Sequence, residues 1–171
     1  MPTQWFYPSQ ITQYAEATQH LSWQGTGADF TSMKQIRTQI ELTTIASDLR
    51  LDNIRTKTYY LLLQGWNIPS TAVPYPLNGI ELYVNVRRGG RITDETIALW
   101  YNNDVVSNNR AQGDLGDIQT YGGEGDLWDA VPMISTLLAS SQFGIILRYQ
   151  SNVNWPHKTA PMMQHVQLRF W

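Results

Sequence analysis

Cysteine is absent from the 171 residues. That excludes a disulfide framework, a thiol nucleophile and thiolate metal ligation, and leaves the redox compartment open. Charge is scarce: Asp, Glu, Lys and Arg make up 15% of the chain and the formal net charge is −2, whereas about a quarter of residues are usually charged. Without a basic excess there is no electrostatic footprint for nucleic acid, and none is expected as a partner. Long apolar runs are missing too. Stretches such as Leu61–Leu63 are far too short to span a bilayer, so no membrane partner is expected. The opening residues, MPTQWFYPSQ, hold no basic stretch followed by an apolar one, and are not expected to act as a signal peptide.

What is present is aromatic and uncharged. Phe, Trp and Tyr reach 12%, including seven Trp and nine Tyr, and Gln, Asn and Thr fill much of the remainder. Such a surface suits lasting contact with another protein, and equally suits a sugar. An apolar content of 42% over this length fits one folded domain with one sizeable core.

Hydrophobic alternation organises the chain from Gln39 onward. Ile80, Leu82, Val84 and Val86 point one way, with Glu81, Tyr83, Asn85 and Arg87 on a wet face. Phe143, Ile145, Leu147 and Tyr149 repeat the pattern, as do Val166, Leu168 and Phe170 against His165, Gln167, Arg169 and Trp171. Ile40–Ala46, Thr58–Gln64, Thr96–Tyr101 and Asp117–Tyr121 read as further strands, with Val105-Val106 a short return. Thr58–Gln64 is apolar on both faces and is expected to be central. Trp128–Leu138 holds Pro132 and β-branched residues, which allow at most a short helical turn. Little helix and few tight hairpins predict an all-β antiparallel β-sandwich of jelly-roll type over residues 39–171. Residues 1–38 are polar with scattered aromatics. They read as an extended N-terminal arm or wrapping segment, or as a first strand packed on the same domain; Ile11–Leu21 could make a short helix.

The stretch YGGEGDLW, Tyr121–Trp128, stands apart. It allows two readings: an acidic, aromatic-rimmed loop that binds sugar or calcium, or a glycine turn plugged by a buried Trp. Gly122, Gly123, Glu124, Asp126 and Trp128 are its candidate residues.

No catalytic set emerges. His20, His157 and His165 lack metal-ligand spacing. No G-x-S-x-G elbow is present. Glu124, Asp126 and Asp129 cluster on one loop, where two carboxylates facing across a cleft would be needed for glycoside hydrolysis. No catalytic residue, metal ligand or cofactor is therefore expected. RRGGR, residues 87–91, could take a phosphate but reads more simply as a solvated basic turn. Trp5, Phe6, Tyr7, Trp23, Phe30, Tyr83, Trp100 and Trp171 are the candidate interface aromatics, with Tyr83, Trp100 and Trp171 at outward strand positions.

In order, LRLDNIRT (49–56), GIELYVNVRR (79–88), RITDETIALW (91–100), YGGEGDLWD (121–129), FGIILRYQ (143–150) and VQLRF (166–170) resemble a β-sandwich domain of tailed-phage virion proteins. The likeness covers about residues 48–171. It implies a structural part of a virion: a capsid cement or decoration protein, or a neck, collar, tail or fibre piece. Its partners would be further copies of itself, with a homotrimer as the first expectation, and the major capsid or neck and tail proteins. The resemblance implies no catalytic residues. A carbohydrate-binding or adhesion module is the competing reading, and requires exposed rings that lie coplanar.

Overall fold

The computed structural model describes residues 1–14, 40–41, 60–87, 92–113, 116–132, 134–151 and 162–171. Among the described residues nine strands follow one another: β1 (Gln10–Tyr14), β2 (Ile40–Glu41), β3 (Tyr60–Gln64), β4 (Gly79–Arg87), β5 (Ile92–Tyr101), β6 (Asp104–Val105), β7 (Ile118–Glu124), β8 (Phe143–Ser151) and β9 (Met162–Phe170). One helical turn, α1 (Ile134–Leu137), precedes β8. Every strand pairing is antiparallel.

The strands form two sheets, in the orders β2-β9-β4-β7 and β1-β3-β8-β5-β6. From β2 to β9 the chain changes sheet at every step except β5 to β6. That alternation is the jelly-roll winding, two Greek keys folded over a common core, with β1 added beside β3. The fold is thus an all-β antiparallel sandwich of jelly-roll type, as the alternation predicts.

The period-two patterns assemble the core. Ile80, Leu82, Val84 and Val86 of β4, with Val166, Leu168 and Phe170 of β9, are fully buried and meet Phe143, Ile145, Leu147 and Tyr149 of β8. Thr58–Gln64 yields β3, which lies between β1 and β8, with Leu61, Leu62 and Leu63 all buried. The expectation of a central strand is met. The proposed short return strand is β6.

The five-stranded sheet carries a second apolar layer on its outer side, made of Leu62, Ala98, Trp100 and Ile146 with Tyr60 against it. Alternation against Ile97 and Leu99 predicts an exposed Trp100. It does leave the main core, but it enters this second layer and is 2% exposed. It is therefore not an interface ring.

The first residues pack on their own domain. Phe6 and Leu168 exchange backbone hydrogen bonds of 2.7 and 2.9 Å, the Thr3 N–H donates to the Phe170 carbonyl at 2.8 Å, and the Phe6 ring lies 5.6 Å from that of Phe170. After Pro8 the chain crosses to the other sheet, where Gln10–Tyr14 pairs with β3. The segment therefore closes a free side of both β9 and β3. Ile11, where a short helix was an option, is a fully buried strand residue. Phe6, an expected interface ring, is a core residue instead. Its alternation with Trp5 and Tyr7 sends those two outward and Phe6 in. The rest of the suggested arm, residues 15–38, lies outside the described residues, as do most of Ile40–Ala46 and most of the 151–161 loop.

The free side of β5 is closed differently. Beyond β6, side chains replace a strand: Ser107 Oγ accepts from the Leu99 N–H at 2.9 Å and Asn109 Oδ1 from the Ile97 N–H at 2.9 Å, while Asn109 Nδ2 donates to the Glu95 carbonyl at 2.8 Å. Amide and hydroxyl groups can mimic a ladder in this way because they carry the same donors and acceptors as backbone.

Candidate functional site

The glycine loop is built downward into the core. β7 runs into Gly122, Gly123 and Gly125, all at positive φ. At Gly122, with φ of +74°, an added Cβ would collide with the Ile80 carbonyl and with Nε1 of Trp128. Glycine is required there by both conformation and space. The vacated space takes the indole, which is fully buried and donates from Nε1 to the Ile80 carbonyl at 2.9 Å. Trp128 itself adopts φ of +61° and Asp129 +47°. A bulky residue in that region is strained, and a dense set of bonds holds it. Asp126 accepts from the Trp128 N–H at 2.8 Å and pairs with Arg110, the Asn108 N–H reaches the Trp128 carbonyl at 3.0 Å, and Asn108 Nδ2 donates to Asp129 at 2.9 Å.

Of the two readings for this loop, the structure takes the plugged turn. Trp128 offers no face to a sugar. Asp126 is committed to Arg110 and to the turn, Asp129 lies 3.8 Å from Arg110, and Glu124 is exposed on β7. Among the described residues no three His, Asp or Glu side chains gather as a metal site. Arg110 has no sequence signal as a partner of the loop, because it lies on the segment after β6. Asp94 is similar. The bulge between Asp94 and Thr96 helps place this residue inside, 2% exposed, where it accepts from the Tyr121 hydroxyl and the Gln112 N–H at 2.8 Å each. It ties the two sheets together.

The half-exposed aromatics collect elsewhere, on the outer face of the four-stranded sheet. Tyr83 of β4 and His165 of β9 stand edge to face at 6.1 Å; Trp5 meets Tyr83 at 6.3 Å and Tyr7 meets His165 at 5.8 Å. Beside them Arg169 grips Glu81 through one nitrogen, at 2.9 and 3.1 Å to its two oxygens. The guanidinium lies 4.3 Å from the Trp5 ring centre and 5.3 Å from that of Trp171, whose Nε1 also donates to Glu81 at 3.1 Å. Glu81, expected on a wet face, is buried by this cover.

Four of the expected interface residues, Trp5, Tyr7, Tyr83 and Trp171, therefore share one surface. The Arg169–Glu81 charges cancel each other, and Asn85, Gln167 and Thr120 beside the rings are uncharged. The rings are inclined to one another by 63° to 85°, so they form no coplanar stacking platform. Trp23, Phe30, His20, His157 and residues 88–91 of the basic turn lie outside the described residues.

Arg169→Ala should cost about 1–3 kcal/mol, because it leaves the Glu81 carboxylate covered without its cation. Urea unfolding should shift to a lower midpoint while Trp5 and Trp171 emission moves to the red. Arg169→Lys should recover only part of the loss, since an ammonium lacks the planar stacking surface of the guanidinium.

The chain matches no protein-family model, no curated protein and no solved structure.

Proposed function

We propose that this chain is a non-enzymatic structural protein of a tailed-phage virion, a cement or decoration protein that docks on the capsid, with neck, collar, tail or fibre as alternative positions. The observation that carries the reading is the outer face of the four-stranded sheet. It is rich in Trp, Tyr and amide groups, and supported by strands paired along their length. Aromatic anchors in an uncharged surround are the composition of lasting protein contacts. The resemblance to virion sandwich domains points the same way. Five of its segments fall on β4, β5, β7 with its plug, β8 and β9, the body of the sandwich. Those segments specify a domain. The docking surface comes from the outward residues of β4, β7 and β9 and from Trp5 and Tyr7.

In this reading the lattice contact is this sheet face, and residues 1–14 support it from within their own chain. The test uses particles released from cells that carry the coding sequence. The chain should travel with them through a density gradient at a fixed copy number set by particle symmetry. Substitution of Tyr83 and Trp5 by Ala should release it. Its absence from washed particles would overturn the proposal.

A further inference from the structure

The outermost strands are closed unevenly. β6 is two residues long, and β1 and β2 end where the described residues end. β7 is seven residues long and contains no Lys, Arg or Pro, the residues that usually blunt a free edge. Its pairing with β4 sets which groups face outward. The Val86 N–H donates to the Asp117 carbonyl at 2.8 Å, and the register places Val84 opposite Gln119 and Leu82 opposite Tyr121. Hydrogen-bonded pairs alternate in an antiparallel ladder. The odd-numbered residues therefore bond to β4, and the N–H and C=O of Ile118 and Thr120 point away from it. Among the described residues no strand pairs with that side of β7. Thr120 is exposed and Ile118 is 58% exposed.

We propose that β7 pairs antiparallel with β7 of a second copy, about a two-fold axis at Thr120, joining two four-stranded sheets into one. The strand is complementary to itself in this register. Thr120 faces Thr120, and Ile118 lies opposite Gly122, which has no side chain to obstruct it. The carboxylates avoid each other, since Asp117 falls opposite Gly123 and Glu124 opposite Gly116. The uncharged row Gln167–Tyr83–Thr120 then continues across the axis into the second copy. A two-fold contact of this kind is isologous and closed, so it ends at two copies. The inference stands whether or not the chain belongs to a particle.

The cysteine-free sequence makes a clean test on the full chain. Cα atoms across a hydrogen-bonded antiparallel pair lie about 5.5 Å apart, inside the range of about 4.4–6.8 Å that a disulfide spans. Mild oxidation of the Thr120→Cys protein should move it from the one-chain to the two-chain position on a non-reducing gel. Val105→Cys, exposed on the short β6, should stay at one chain. By light scattering the wild-type chain should show a mass that rises with concentration and levels off at two chains, and Ile118→Lys should hold it at one, with thermal unfolding matching that of the wild type diluted to one chain. A Thr120→Cys protein that cross-links no faster than Val105→Cys overturns the pairing. So does an assembly that survives Ile118→Lys, or one of three copies.

Discussion

Trp128→Ala should destabilise the protein by about 3–5 kcal/mol, the range for removing a large buried aromatic. Against a total of about 5–15 kcal/mol for a domain, that is a large fraction of what holds the chain folded. For a domain of this size each kcal/mol moves the melting temperature by about 2–4 °C, so a drop of about 6–20 °C is expected. Three effects combine: a cavity under the β7 turn, the Ile80 carbonyl left without the indole N–H, and a turn that has lost its plug. Trp128→Phe should restore part of the volume and none of the hydrogen bond. Gly122→Ala should cost a comparable amount, because its Cβ meets backbone at Ile80 as well as the indole, and because φ of +74° disfavours any side chain. The double variant should cost less than the sum of the two, since Trp128→Ala removes one of the groups that the Gly122→Ala methyl strikes. Calorimetry on the four proteins decides it. Additive losses would mean that the glycine and the tryptophan act separately.

Removal of residues 1–14 should be at least as damaging. The segment buries Phe6 and Ile11, and it bonds to Leu168 and Phe170 on one sheet and to β3 on the other. Phe6→Ala alone should cost about 3–5 kcal/mol. Trp5→Ala, half-exposed on the outer face, should cost well under half as much. The full deletion should give a chain that binds a hydrophobic dye and unfolds without a cooperative transition. This prediction separates a sandwich strand from an arm that works on a neighbour. Deletion of such an arm would leave the melting temperature of the isolated protein where it was. It would change only the assembled mass.

These expectations differ in how far they were legible beforehand. The inward faces of β4, β8 and β9 were readable, because alternation along a strand is local and each residue carries its own preference for burial. The glycine-tryptophan plug was one of two readings of Tyr121–Trp128, since three glycines beside a large aromatic describe either an open rim or a filled turn. Asp126 could be placed on the loop, yet its partner Arg110 comes from the segment after β6, and no spacing rule links the two.

The sequence by itself determined an all-β sandwich wound as a jelly roll, and which residues of each strand face in. Tertiary structure alone decided what lies over each outward face. Trp100 alternates as an exposed residue would, but Leu62 and Ile146, from β3 and β8, join it in a second apolar layer. Glu81 alternates as a wet residue would, but Arg169 and Trp171 close over it. Phe6 could have belonged to an arm until Leu168 and Phe170 supplied a free strand side and a ring to pack on. In each case the pattern along one strand sets the direction of a side chain, while its burial depends on chain that arrives from a distant position. That arrival is fixed by pairing and packing between strands, which leave no period in the local sequence.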